Sequence, residues 1–193
     1  MKKYGFIAGA GLVLCMVNPV LAGTTTGTIS ASLVLTAGCV VNGGTGTSGL
    51  NLGTLNFGTY NAQTFTGATA TLASTPDNAI AVKCSPGSTY TIKVTGSNAV
   101  PSGAVYGTVP TTGPRYLVGT TNTTQGVAYL LSLSSSFAPA GTIVNGTAFP
   151  AATTTDPTYG DLYPIYGQIT GVTNNENIRA DTYADNIQVE IDY

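Results

Sequence analysis

Four aspartates in the last third of the chain are the side chains best suited to acid–base chemistry. Asp156 and Asp161 form one pair, and Asp181 and Asp185 form another. Two carboxyl groups flanking a sugar can hydrolyse a glycosidic bond. Both pairs, however, lie in turn-like sequence with few aromatic residues, and the chain has no tryptophan to stack on a sugar. We interpret these acids as solvated loop residues, and they also lack the loop spacing of an EF-hand calcium site.

The usual residues for nucleophilic catalysis and metal binding are missing. The chain has no histidine, and of its three cysteines Cys15 lies in an N-terminal apolar run, which leaves Cys39 and Cys84. An even pair of cysteines in an exported chain favours a disulfide, and two thiolates alone make a poor zinc site. We therefore predict a Cys39–Cys84 disulfide, no metal, no cofactor and no enzymatic activity.

A glycine pattern typical of dinucleotide binding is also present. Gly44, Gly46 and Gly49 match G-x-G-x-x-G, a motif that works when a helix follows and points its amides at the pyrophosphate. Here the following residues, 50–53, resemble a strand instead. We interpret the glycines as a flexible turn.

The first 22 residues have the organisation of an export signal: Lys2 and Lys3, an apolar run, and Val20-Leu21-Ala22 before the expected cleavage site. We expect residues 23–37 to form an N-terminal extension and residues 38–193 to form one domain. Loss of the two lysines leaves four basic against eight acidic residues, a balance that disfavours nucleic acid. No later stretch is apolar enough for membrane insertion of the mature chain.

The elements that carry these residues are predicted to be short strands. Threonine, serine, glycine and asparagine dominate, only 7% of residues are charged, and long helix-forming runs are absent. Strand-like runs occur at residues 50–57, 68–72, 79–84, 90–94, 116–118, 127–133, 162–169 and 187–193. We expect residues 95–126 and 134–161 to be mostly long surface connections, with residues 151–156 mobile. This spacing predicts an all-β antiparallel sandwich.

The two ends of the mature chain carry the clearest alternation. In residues 27–37, GTISASLVLTA, the side chains of one parity are apolar: Ile29, Ala31, Leu33 and Leu35. The final strand shows the same pattern: Ile187, Val189, Ile191 and Tyr193. Because no strand follows the last one, we expect an uncovered apolar edge there. The N-terminal strand needs a groove, either in its own domain or in a neighbouring molecule.

The order of motifs resembles that of the spore coat protein U family, which includes subunits of archaic chaperone-usher pili. The motifs that carry the resemblance are Gly38-Cys39, LGTLNFG at residues 52–58, Cys84, the strand at 127–131, YPIYGQI at 163–169 and YADNIQV at 183–189. The chain departs from the usual pattern at Asp181, where glycine is commoner, and at Ser132, where an aromatic residue is frequent.

The resemblance implies an immunoglobulin-like sandwich that lacks its final strand. In that family a periplasmic chaperone lends a strand, an outer-membrane usher assembles the subunits, and the N-terminal segment of the next subunit replaces the lent strand. Carried onto this chain, Ile29, Ala31, Leu33 and Leu35 would be the donor residues. The edge of the acceptor groove would be Ile187, Val189, Ile191 and Tyr193. The protein would then be exported to the periplasm and form an adhesive surface pilus that serves biofilm formation. The alternative is a secreted coat protein that fills its own groove.

Overall fold

The computed structural model describes residues 23–173 and 175–193, so the predicted export signal, residues 1–22, lies outside the described residues. Thr36–Tyr193 forms one compact unit, and the described residues 23–35 belong to another. Two short 3₁₀ turns occur at Pro139–Gly141 and Asn175–Asn177. The strands are β1 Cys39–Val41, β2 Thr54–Leu55, β3 Ala68–Ala73, β4 Ala79–Cys84, β5 Thr91–Gly96, β6 Val105–Tyr106, β7 Arg115–Gly119, β8 Gly126–Ser132, β9 Thr154–Asp156, β10 Gly160–Pro164, β11 Tyr166–Ile169, β12 Tyr183–Ala184 and β13 Gln188–Asp192.

These strands form three sheets. One sheet has the order β1-β4-β10-β9, a larger one has the order β12-β7-β8-β11-β3-β2, and β13 pairs with β5. All of these pairings are antiparallel, and β6 joins β8 in parallel beside the larger sheet. The fold is an all-β, immunoglobulin-like antiparallel sandwich, which confirms the predicted fold class.

The expected strand at residues 162–169 is in fact two strands in different sheets. β10 pairs with β4, whereas β11 pairs with β8 and β3. The break falls at Pro164 and Ile165. Proline has no N–H to continue the pairing with β4. The carbonyl of the next residue, Ile165, accepts from the N–H of Leu72 on β3 at 2.8 Å. The chain thereby crosses from one sheet to the other.

The stretches expected to be long connections contain more strand than the sequence indicated. The second half of residues 151–156 forms β9, which pairs with β10 through Asp156 and Gly160. β6 also lies within residues 95–126, beside β7, which the strand-like run at residues 116–118 predicted. Threonine-rich edge strands such as β9 have little apolar alternation, so their pairing partner decides their structure.

Among the residues that the structure describes, the core contains one buried charged side chain. Arg115 is fully buried on β7 and donates to the Asn145 side-chain oxygen at 2.5 Å and to the Ile143 carbonyl at 3.1 Å. Among the described residues its Nε has no hydrogen-bond partner. Burial lowers the pKa of the Arg115 guanidinium because the charged form is poorly solvated.

Candidate functional site: an open apolar groove

A groove of about 980 Å³ opens into the core of the sandwich. Its first wall is residues 50–60 and its second wall is residues 178–189. The side chains between the walls are almost all apolar core residues: Leu72, Ile80, Val94, Leu117, Val127, Tyr129, Leu131, Ile143, Phe149, Ile165 and Ile169. The groove therefore lies along the hydrophobic core between two stretches of backbone, and most of the side chains on its floor are buried.

Two turns of the same kind shape the first wall. The Asn51 side-chain oxygen accepts from the N–H of Gly53 at 3.0 Å, and that of Asn56 accepts from the N–H of Gly58 at 2.8 Å. Both glycines have positive φ, +121° and +97°, where other residues are strained. The repeated Asn-x-Gly thus makes two Asx turns. The expected strand at residues 50–57 is correspondingly reduced to β2, whose two residues pair with β3.

Phe57 fastens the first wall to the core. Its ring packs edge-on against Tyr129, with 5.7 Å between the ring centroids. A side-chain carbon on Gly167 would lie 2.6 Å from Phe57 Cζ. The glycine in the YPIYGQI motif therefore provides the space that the Phe57 ring needs.

The second wall includes part of the edge strand that the sequence predicted. Ile187 and Val189 line the groove, while Ile191 packs against the core farther along β13. Tyr193 differs: it lies beyond β13 and is 55% exposed. β13 pairs with β5, and its other edge has no strand partner within residues 23–173 and 175–193.

The predicted donor residues lie in a segment without strand pairing. Residues 27–37 have no assigned ladder. The large apolar side chains there are exposed: 98% for Ile29, 81% for Leu33 and 83% for Leu35. Ala31 is exposed as well. A strand requires the backbone of a neighbour for its hydrogen bonds, so alternation alone does not make one here.

Cys39 and Cys84 form the predicted disulfide. The two residues are direct cross-strand partners on β1 and β4. The ladder continues past them through the Ser85 N–H, which donates to the Gly38 carbonyl at 2.9 Å. The disulfide thus ties the start of the domain to a central strand.

The four aspartates considered for acid–base chemistry accept hydrogen bonds within the fold. Asp156 accepts from the N–H groups of Thr158 and Tyr159, and Asp161 accepts from the Tyr90 hydroxyl at 2.7 Å. Such contacts fix turns and pack strands.

The other two aspartates lie in the second wall. Asp185 accepts from the Tyr129 hydroxyl at 2.7 Å and from the Asn98 N–H at 2.7 Å. Asp181 accepts backbone N–H groups, above all that of Asn122 at 2.8 Å, and these hold its pKa below the ordinary value. A general acid for glycoside hydrolysis needs the opposite shift.

Comparison with known families identifies this architecture. The family model of the Spore Coat Protein U domain matches residues 25–190. The chain belongs to the Spore Coat Protein U family. This family consists of structural, pilin-like domains of pilus- and coat-type surface proteins. No curated protein matches the chain.

The matched Spore Coat Protein U region includes both walls of the groove and the exposed segment with Ile29 and Leu33. Within the described part of the chain, no helix has the length and apolar character required to cross a bilayer.

The structure explains both departures from the usual Spore Coat Protein U pattern. Asp181 uses its carboxylate to hold the turn at Thr121 and Asn122, as a glycine could not. Ser132 is fully buried, and its Oγ lies 2.9 Å from where a side-chain carbon on Gly141 would be. The Ser132 hydroxyl also accepts from the N–H of Ser134 at 3.0 Å, a contact that an aromatic side chain could not make.

The first wall and the groove floor were missed as parts of the site by reasoning from the sequence. The paired Asn-x-Gly at Asn51 and Asn56 was the available signal, because it predicts turns that interrupt a strand. The floor residues carry no such signal, since their apolar types are those of any core.

Proposed function

We propose that this protein is the structural subunit of a surface pilus assembled by donor-strand exchange. Residues 27–37 of one copy fill the groove of the next copy, so that each subunit completes its neighbour. The observation that carries the proposal is the open groove, whose two walls of about a dozen residues each border apolar core side chains.

The donor segment and the walls agree in number of residues and in chemistry. Eleven extended residues span about 36 Å at roughly 3.3 Å per residue, and the walls contain 11 and 12 residues. The donor segment has no charged residue, as suits an apolar floor. Its alternation supports strand addition, in which one face enters pockets while the backbone pairs with the walls.

A comparison of side-chain burial with the entropy cost of ordering the donor backbone indicates that backbone hydrogen bonds are essential to this exchange. Burial of Ile29, Leu33 or Leu35 in the groove stabilises the contact between subunits by about 1.5 to 3 kcal/mol for each side chain. Ordering the backbone costs about 1 to 2 kcal/mol per residue over the whole segment. Side-chain burial alone is therefore too weak, and hydrogen bonds to both walls must contribute. The free edge of β13 supports this arrangement.

The contact between subunits is head-to-tail, because the donor and the groove are different parts of the chain. Heterologous contacts of this kind generate open filaments when the rotation does not close. Before assembly, an exposed apolar groove is an aggregation hazard. We therefore infer a periplasmic chaperone that covers the groove. We also infer an outer-membrane usher at which the donor segment of the next subunit replaces the chaperone. The filament then serves adhesion and biofilm formation at the cell surface.

Electron microscopy of cells that express the full chain tests this function. We expect surface fibres with the natural sequence and none with Leu33→Asp combined with Leu35→Asp. Ser30→Asp with Ser32→Asp is the matched control, since it adds the same charge to the opposite face and leaves fibres intact. Fibres in all three strains would refute the donor role. A secreted monomer without fibres in any strain would favour the self-complementing coat protein.

A further inference from the structure

The second wall is held in place by side chains from elsewhere in the domain. At its start, the Gln125 side-chain oxygen accepts from the N–H of Arg179 at 3.2 Å. The Gln125 amide donates to the Asn177 carbonyl at 3.3 Å, and the Tyr106 hydroxyl donates to the same carbonyl at 2.7 Å. These contacts fix the point at which the chain enters the wall.

The middle of the second wall is held by Asp181. Its carboxylate accepts from the N–H of Asn122 at 2.8 Å, that of Thr121 at 3.0 Å and that of Thr182 at 2.8 Å. The turn between β7 and β8 is thereby joined to the wall through main-chain donors.

The third attachment reaches the floor of the groove. Asp185 accepts from the Tyr129 hydroxyl at 2.7 Å and from the Asn98 N–H at 2.7 Å. The Asn98 side chain in turn donates to the Ala184 carbonyl at 2.8 Å. Tyr129 is only 1% exposed, so its hydroxyl depends on Asp185 for a partner.

Tyr129 also contacts the opposite wall. Its ring packs edge-to-face on Phe57 of the first wall, while its hydroxyl binds Asp185 of the second wall. One buried side chain on β8 therefore spans the floor and links the two walls. A phenylalanine at this position would fill the same core space but would lose the link to the second wall.

We propose that Tyr129 is the positioning residue of the acceptor groove, setting the separation of its walls through Phe57 and Asp185 before a donor strand arrives. This inference rests on the proposed function and deepens it. A groove formed in advance spares the incoming strand the cost of ordering the wall, so the link raises donor affinity. The hydroxyl acts through its hydrogen bond to Asp185 of the second wall.

Binding of a donor peptide to Tyr129→Phe tests the inference. The parent is the chain from Gly23 onward with Leu33→Asp and Leu35→Asp, so that its own segment cannot compete. The probe is a fluorescent peptide of residues 25–37 with the natural sequence. We expect Tyr129→Phe to weaken peptide binding about tenfold, equivalent to about 1.4 kcal/mol.

Tyr90→Phe is the matched control. The Tyr90 hydroxyl also contacts an aspartate, Asp161 at 2.7 Å, and it lies 2.8 Å from the Tyr163 hydroxyl. None of these three residues lines the groove. Both substitutions remove a tyrosine–carboxylate hydrogen bond and lower stability, but Tyr90→Phe should leave peptide affinity within twofold of the parent. Equal affinities in the two variants would overturn the role of Tyr129.

Amide hydrogen exchange of the peptide-free proteins gives a second and independent readout. We expect at least tenfold faster exchange in residues 182–187 with Tyr129→Phe than with Tyr90→Phe, and equal rates would refute a wall set in advance. A parent that binds no peptide would refute the proposed function, and the exchange rates would still decide the role of Tyr129. If Tyr129→Phe does not fold, Asp185→Asn weakens the same hydrogen bond and should lower peptide affinity at least threefold.

Discussion

Phe57 occupies the space that a side chain on Gly167 would need, since a carbon added to Gly167 would lie 2.6 Å from Phe57 Cζ. The same carbon would lie 2.7 Å from Leu55 Cδ2. Two side chains of the first wall therefore rest on one glycine of β11. The position of this wall depends on the absence of a single methyl group.

Replacing Gly167 with alanine should push the first wall away from the core. Overpacking of this kind costs about 1 to 3 kcal/mol, so we expect the free energy of unfolding in urea to fall by that amount. Gly38→Ala is the control, because nothing lies within 4 Å of the added carbon, and it should change stability by less than about 0.5 kcal/mol. Equal stability of the two variants would contradict the contact.

Replacing Asn56 with alanine should loosen the second Asx turn. The variant loses the acceptor for the N–H of Gly58, a hydrogen bond that contributes about 0.5 to 1.5 kcal/mol. Asn56→Asp keeps an acceptor oxygen at the same place and should retain most of that stability. Thermal or urea unfolding measures the difference, and an aspartate variant as unstable as the alanine variant would argue against the turn.

The contribution of Asp181 to stability should depend on pH. Hydrogen bonds from backbone N–H groups lower its pKa in the folded protein, relative to about 3.9 in the unfolded chain. Its stabilising effect is therefore complete above the unfolded pKa and is lost as the pH falls through the lower folded pKa. Urea unfolding of the natural chain and of Asp181→Asn should show a constant difference from pH 7 to about pH 5. The difference should shrink below about pH 4, and a difference that grew in acid would reverse the assignment.

Removing the side chain of Asn145 should lower the free energy of unfolding, because the buried Arg115 guanidinium would lose a hydrogen-bond acceptor. Asn145→Ala takes away the acceptor of one guanidinium nitrogen, and an unpaired buried donor costs about 1 to 3 kcal/mol. Ser97→Ala is the control, because Ser97 contacts only the exposed side of the same asparagine at 3.3 Å. Urea unfolding should show a clear loss for the first variant and little change for the second.

Local patterns were sufficient to predict several parts of this molecule. The even cysteine pair predicted the Cys39–Cys84 disulfide, and that prediction is confirmed. Short alternating runs predicted an all-β sandwich, also confirmed. The predicted alternation in the last strand is present: Ile187, Val189 and Ile191 are partly buried, whereas Gln188 and Glu190 between them are exposed. The strand predictions depend on the period of two along a strand, which can be read without a partner, whereas the disulfide prediction depends on the number of cysteines.

The groove itself depends on residues far apart in the sequence. Tyr129 and Asp185 are separated by 56 residues, and Phe57 and Gly167 by more than 100. No periodicity relates such pairs, because their contact arises from the order of strands in the sheets. The break between β10 and β11 is similar, since Pro164 could end a ladder in many ways and only pairing with β4 and β8 selects this one.

The sequence alone thus determined the strand alternation and the uncharged apolar face of residues 27–37, because each is a property of neighbouring residues. It also determined the disulfide, because Cys39 and Cys84 are the two cysteines that follow the predicted export signal. The tertiary structure decided where the core lies open and what holds its two walls apart. Packing density and hydrogen-bond partners fix those features, and both are set only when distant strands meet.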